Sequence, residues 1–195
     1  MNFRGEDLTG EDLSDRRDLE GADFATAKLT RANLKNANCK GAIFRNARIV
    51  AADLENSILI NAKCKGANFV RANLTDADLT GANLTNGIIA RANCNGANFE
   101  GATLVNVGGS YVNMYKVNFK GADLKNARFI RSNFRGADLT DADLTGVNLT
   151  GTDLAGANLT GANLTDADLT GADFTGANLT DADLTGADLT DAVGI

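Results

Sequence analysis

The chain has 195 residues, 44% of them apolar, with 21 glycines and no proline, histidine or tryptophan. That length suits one domain of ordinary apolar content, and the lack of histidine removes the commonest general base and metal ligand. The net charge of −6 is unevenly spread: residues 1–135 hold all 19 bases and 14 acids, a net of +5, whereas residues 136–195 hold 11 aspartates and no base.

The opening "MNFRGEDLTGEDL" is charged and lacks the apolar heart of a secretory signal. No apolar run approaches the roughly 20 residues of a membrane-spanning helix. A cytoplasmic address and no membrane partner are therefore expected. Apolar residues at Phe3, Leu8 and Leu13 are five apart, and one extra residue in "SDRRD" then shifts the register. Residues 1–18 thus read as N-terminal units in a shifted frame. From Leu19 the step of five continues through Phe24, Leu29, Leu34, Cys39 and Phe44 to Leu189, so residues 19–192 form one continuous array and 193–195 its end. Of the 35 positions from Leu19 to Leu189, 34 are Leu, Phe, Ile, Met or Cys, and the exception is Gly109. A small residue, usually Ala, stands two before each.

A period of five fits neither regular element. On an α-helix, five residues advance by about 500°, so the apolar positions wind round the cylinder and make no face. On a flat strand an odd period sends alternate leucines to opposite sides. The backbone must turn once per unit, sending the central and small positions inward each time, which describes a solenoid with a shared core. The phrase A-(D/N)-(L/F)-x-x resembles the repeat of the pentapeptide-repeat family over nearly the whole chain. That resemblance implies an all-β, right-handed quadrilateral β-helix with four pentapeptides per coil. The repeats here amount to about 9–10 coils, a rod on the order of 45 Å long at ~4.8 Å per coil. Phe24 and Phe44 are separated by four units, as are Phe99 and Phe119, in keeping with such a coil.

Cys39, Cys64 and Cys94 occupy central positions in different columns and read as buried, reduced fillers in place of Leu. No close CxxC pair points to zinc or redox chemistry.

Residues four units apart stack into columns. One reads Arg31, Ala51, Arg71, Arg91, Tyr111, Arg131; the column before it reads Thr30, Val50, Val70, Ala90, Ser110, Ile130; a third, on the same side, reads Lys28, Arg48, Asn68, Ile88, Gly108, Arg128. Arg31, Val50, Val70, Arg71, Arg91, Tyr111, Ile130 and Arg131 therefore form the candidate partner-binding face, an arginine ladder beside an apolar stripe. Two readings stand side by side: the arginines keep an otherwise sticky stack soluble, or they and Tyr111 anchor an acidic partner. Tyr111, between Arg91 and Arg131, leaves room for a cation–π contact. Nucleic acid fits less well, since the bases are sparse for a polybasic groove and the net charge is negative.

The stretch "VGGSYVNMYKVN", from Val107 to Asn118, departs from the repeat phrase but keeps the five-residue step, so it is no inserted loop. Gly109 removes an inward side chain, while Val107, Val112 and Val117 enlarge the small position and Phe129 lies one coil on in the Gly109 column. A locally repacked core is expected. Tyr111 and Tyr115 point outward, Tyr115 round the corner from Tyr111.

After Arg135 the phrase "DADLT" recurs out of phase with the coil, at Asp141, Asp166 and Asp181. Different sides then carry the same words, which favours a solubilising coat. A solenoid also exposes unpaired edges at its ends, so end-to-end self-association is an expected hazard.

No GxSxG, P-loop, GxGxxG or metal cluster is present, and the aspartates lack the calcium-repeat phrase. The protein is expected to be no enzyme, to use no cofactor or metal, and to act as a scaffold that binds another, acidic, protein. The resemblance also implies an alternative, since some members of the family mimic DNA and act on type II topoisomerases such as gyrase. Those members resemble dimers closed by a helical module, which "LTDAVGI" does not provide, and the middle of this chain is basic. The threonine columns Thr140/Thr160/Thr180 and Thr150/Thr170/Thr190 raise a third reading, ice binding, with only one Thr column per side.

Overall fold

The computed structural model describes all 195 residues. Each unit places its middle residue on one rung of a parallel ladder. The rungs run Asp23–Ile43–Lys63, Lys28–Arg48–Asn68, Asn33–Asp53–Asn73 and Asn38–Ile58–Asp78, and each ladder continues upward with the same spacing. Four ladders make four sides, named here for their first rungs: the Asp23, Lys28, Asn33 and Asn38 faces. The lowest rungs, Asn2 with Asp23, Asp7 with Lys28 and Asp12 with Asn33, pair one position further apart in sequence, so the extra residue is absorbed in the first coil.

A corner follows every rung. The central residue accepts a hydrogen bond from the N–H three residues on, as in Ala27 N to Phe24 O at 3.0 Å and Ala32 N to Leu29 O at 3.1 Å. The residue just before that donor has φ of +53 to +59° wherever it is not glycine. A 4→1 bond with a left-handed third residue is the signature of a type II turn. Glycine meets it without a Cβ penalty, and Asn and Asp tolerate it. The sequence obeys this rule at most corners, since 13 of the 21 non-glycine residues with positive φ are Asn or Asp.

The core is one continuous column from Leu13 to Phe174, built from the central and small positions. Phenylalanines one coil apart stack, with ring centroids 4.8 Å apart for Phe3 and Phe24, 4.9 Å for Phe24 and Phe44 and 5.0 Å for Phe99 and Phe119. That separation is the spacing of neighbouring strands, so ring stacking and backbone pairing share one repeat distance. Cys39, Cys64 and Cys94 are buried and unbonded to one another. Burial pushes the Cys39 and Cys94 thiols up to about 12, and the Cys64 thiol higher still, so none is a ready nucleophile.

The middle residue also braces its own unit. Asp188 Oδ1 accepts from Thr190 N at 2.9 Å and Thr190 Oγ1 at 2.7 Å, and Asp183 holds Thr185 in the same way. At the other end Asp7 and Asp12 do so with Thr9 and Ser14. Bonds from these hydroxyls, then from the other donors, hold the four carboxyls below the ordinary value of 3.8. A depressed folded-state pKa stabilises above the unfolded value, and the contribution is lost as pH falls through the folded one. The thermal midpoint is accordingly expected to stay level from neutrality to about pH 5 and to drop below about pH 4, when followed by circular dichroism.

Candidate functional site

The Lys28 face collects its residues from three positions of six successive coils. The rungs are Lys28, Arg48, Asn68, Ile88, Gly108 and Arg128. The first turn residues are Thr30, Val50, Val70, Ala90, Ser110 and Ile130, all half-buried. The second turn residues, at the corner toward the Asn33 face, are Arg31, Ala51, Arg71, Arg91, Tyr111 and Arg131, all exposed. Seven cations and no carboxylate stand in these three columns. The other three faces mix signs over the same coils, with Asp23 and Asp123, Asp53 and Glu55, or Asp78 and Glu100 beside their bases.

Of the seven cations only Lys28 has an ionic partner, Asp7 in the coil below, at 3.2 Å. The remaining ion pairs join Arg4 to Asp23, Arg16 to Asp18, Lys35 to Glu55, Lys125 to Asp123 and Asp143, and Arg135 to Asp153. Arg31, Arg48, Arg71, Arg91, Arg128 and Arg131 therefore present their guanidinium groups to solvent with no carboxylate in contact.

The corner column carries an unusual backbone assignment. Arg31, Ala51, Arg71, Arg91, Tyr111 and Arg131 have φ of 59, 54, 59, 58, 58 and 53°. Eight residues of the chain other than Gly, Asn or Asp sit in this left-handed region, and six of the eight are these; the others are Thr26 and Lys116. Backbone bonds to the coil above hold the geometry, including Arg31 N to Val50 O at 2.9 Å, Arg71 N to Ala90 O at 3.1 Å and Arg131 N to Thr150 O at 2.9 Å. The sequence rule that shapes the other three corners is broken at this one, over consecutive coils.

Tyr111 is 53% exposed and Ile88 44%, and both stand proud of the face. Val50, Val70 and Ile130 are half-buried, so the apolar stripe expected from sequence is recessed into the face. The contact at Tyr111 also differs from a ring-face cation: Arg131 Nη1 donates to its phenol oxygen at 3.4 Å. The cation over a ring belongs to Lys116 and Tyr115, 5.2 Å from nitrogen to centroid, round the corner on the Asn33 face.

The turn bearing Tyr111 is itself opened. The N–H of Val112 is not bonded to the Gly109 carbonyl; it donates to Ser132 Oγ at 3.0 Å, and the same hydroxyl donates to Gly109 O at 3.0 Å. A buried serine from the next coil thus stitches the two ends of the turn. Ser132 occupies a position usually held by alanine, and sequence reasoning passed over it; a polar residue at an inward small position was the available signal.

The family model for pentapeptide repeats matches residues 18–49, 47–86, 92–129, 113–151 and 152–191. No curated protein matches the sequence. Among solved structures the chain is similar to HetL, a pentapeptide repeat protein involved in heterocyst differentiation regulation from the cyanobacterium Nostoc sp. strain PCC 7120. The TM-score is 0.85 and the identity 29%, over 99% of this chain and 86% of that one. Full-length QnrB1, a plasmid-mediated fluoroquinolone resistance protein, is similar at a TM-score of 0.59 and 20% identity, over 99% of this chain and 93% of that one. At that identity the likeness bears on the fold alone.

Proposed function

Since the chain belongs to the pentapeptide-repeat family, we propose that it is a non-enzymatic scaffold, a right-handed quadrilateral β-helix that captures an acidic protein through its Lys28 face. One observation carries this reading: seven cations without a carboxylate occupy one side over six coils, and six of them lack an ionic partner within the chain. A solubilising coat has no need of one sign on one side. Mixed charges serve that purpose better, and the other three faces have them. Exposed Tyr111 and Ile88 at the centre of the charged area supply apolar anchors within a polar surround, the usual anatomy of a protein-binding surface.

The DNA-mimic alternative asks for carboxylates along the rod. Here they concentrate in residues 136–195, while the lower coils of the Lys28 face are cationic. Charge reversal separates the two readings. In the triple variant Arg71→Glu, Arg91→Glu, Arg131→Glu, binding of fluorescent polyglutamate, read by anisotropy, is expected to weaken by about a hundredfold, with an unchanged circular dichroism spectrum. Native binding is expected to fall as salt rises, because exposed charges are screened within about 10 Å at 0.1 M. Equal binding by native and reversed proteins sinks the proposal. Inhibition of gyrase supercoiling that survives the reversal supports the alternative.

A further inference from the structure

Eighteen of the 21 glycines have positive φ; 17 of them stand at corners, and Gly194 follows the last rung. The other three are Gly87, Gly108 and Gly109. A Cβ at Gly87 would lie 2.8 Å from the Leu84 carbonyl oxygen, and one at Gly109 would lie 2.5 Å from two carbons of the Phe129 ring. Close packing demands both. Gly108 is different: its φ is not positive, and a Cβ there would meet nothing within 4 Å. Nothing inside the chain requires it.

It is also the only glycine on a rung of any of the four ladders. A glycine in an extended segment weakens it and commonly marks a place where a ligand or another chain comes close. This one lies in the middle of the Lys28 face. Ile88 is the rung below and Arg128 the rung above. Beside it in the same coil stand Ser110, small and half-buried, and Tyr111, exposed. The coil containing Gly108 and Ser110 is therefore a shallow step, with Ile88 and Ala90 in the coil below, Arg128 and Ile130 in the coil above, and Tyr111 at its corner.

We infer that this step receives an apolar side chain from the acidic partner, aromatic in size, while carboxylates on either side of it meet Arg91, Arg128 and Arg131. The inference rests on the Lys28 face being the docking surface for an acidic protein, and it names what that protein must carry: an apolar residue within an acidic segment. A single-stranded nucleic acid is the less favoured occupant, because such strands stack on successive aromatic side chains and this face has one.

The test uses the full chain and three labelled probes: a polyglutamate peptide interrupted by one phenylalanine, the same peptide with glycine in its place, and oligothymidylate. Anisotropy at low salt is expected to show the phenylalanine peptide binding about tenfold tighter than its glycine counterpart, the value of burying much of one ring. Gly108→Trp places an indole over the step on a backbone where a Cβ meets nothing within 4 Å, so its thermal transition should match the native one while the phenylalanine advantage disappears and polyglutamate binding remains. Equal affinity for the two peptides, or an advantage that survives Gly108→Trp, overturns the inference and leaves the docking face standing, provided the triple arginine reversal still weakens both peptides. Peptides that fail to bind, that ignore the reversal, or that bind more weakly than oligothymidylate overturn both.

Discussion

Replacing Gly109 with leucine, the residue the repeat calls for, is expected to destabilise the protein, and replacing Phe129 with leucine at the same time to restore it. The inward column here reads Leu29, Ile49, Phe69, Ile89, Gly109, Phe129, Leu149. In the structure the Phe129 ring descends into the space that a side chain at 109 would fill. A Cβ alone would sit 2.5 Å from its Cδ1 and Cε1 and 3.2 Å from Ile89 Cγ1. The ring has little room to move away, because Leu149 fills the same column in the coil above and Phe134, on the next side of its own coil, meets it edge-on at 5.3 Å. Overpacking of this kind costs about 1–3 kcal/mol, and Phe129→Leu alone leaves a void beside Gly109 at a similar cost. Together, Gly109→Leu and Phe129→Leu exchange one large and one absent side chain for two ordinary ones. Thermal or denaturant unfolding of the four proteins should give a coupling of about 2–3 kcal/mol in favour of the double variant. Additive losses would show that the glycine and the ring are not filling each other's space.

The same pair shows what could be read from the sequence and what could not. The five-residue step places Gly109 in the core and Phe129 above it, and column arithmetic needs no coordinates. Given the four-unit coil that the family resemblance implies, the buried cysteines and the grouping of Arg31, Arg71, Arg91, Tyr111 and Arg131 on one corner follow in the same way, because a solenoid converts sequence spacing directly into position. Hydrogen-bond geometry does not follow. Ser132 stands at a small position, and period alone gives no sign that its hydroxyl joins Gly109 O to Val112 N–H across an opened turn. Depth is hidden for a related reason. A residue following a central apolar one counts as outward by period alone, yet Val50, Val70 and Ile130 are half-buried. The left-handed backbone of the arginine column was likewise hidden, since period says which way a side chain points and nothing about φ. Once φ is known, Arg, Tyr and Ala in that column become exceptions to a rule that Gly, Asn and Asp keep at every other corner but Thr26 and Lys116.

That exception leads to a second large effect. Changing Arg71, Arg91 and Arg131 together to asparagine is expected to make the protein more stable while removing its hold on an acidic partner. For residues other than Gly, Asn and Asp the left-handed conformation costs roughly 1–2 kcal/mol, and Asn recovers a good part of that. The neighbouring corner shows that the column can accept the change: Asn86, Asn106 and Asn126 stack there, with Asn106 Nδ2 donating to Asn86 Oδ1 at 3.2 Å, and Asn126 lies beneath Gly146 as Arg131 lies beneath Gly151. Over three sites the gain is about 2 kcal/mol, a rise in Tm of roughly 4–8 °C for a chain of this size. Relief of repulsion among the arginines contributes as well, and high salt separates the two effects. The triple change to glutamine removes the charge but keeps a residue unsuited to positive φ, so asparagine should outlast glutamine even where charges are screened. A chain selected only to stack coils would have drifted to the more stable residues, as its other corners did. A measured gain for asparagine would therefore support the proposed docking face, as a surface kept for binding at the expense of stability. If the asparagine variant proves no more stable than the glutamine one at high salt, the column is not under backbone strain, and the case for its selection rests on charge alone.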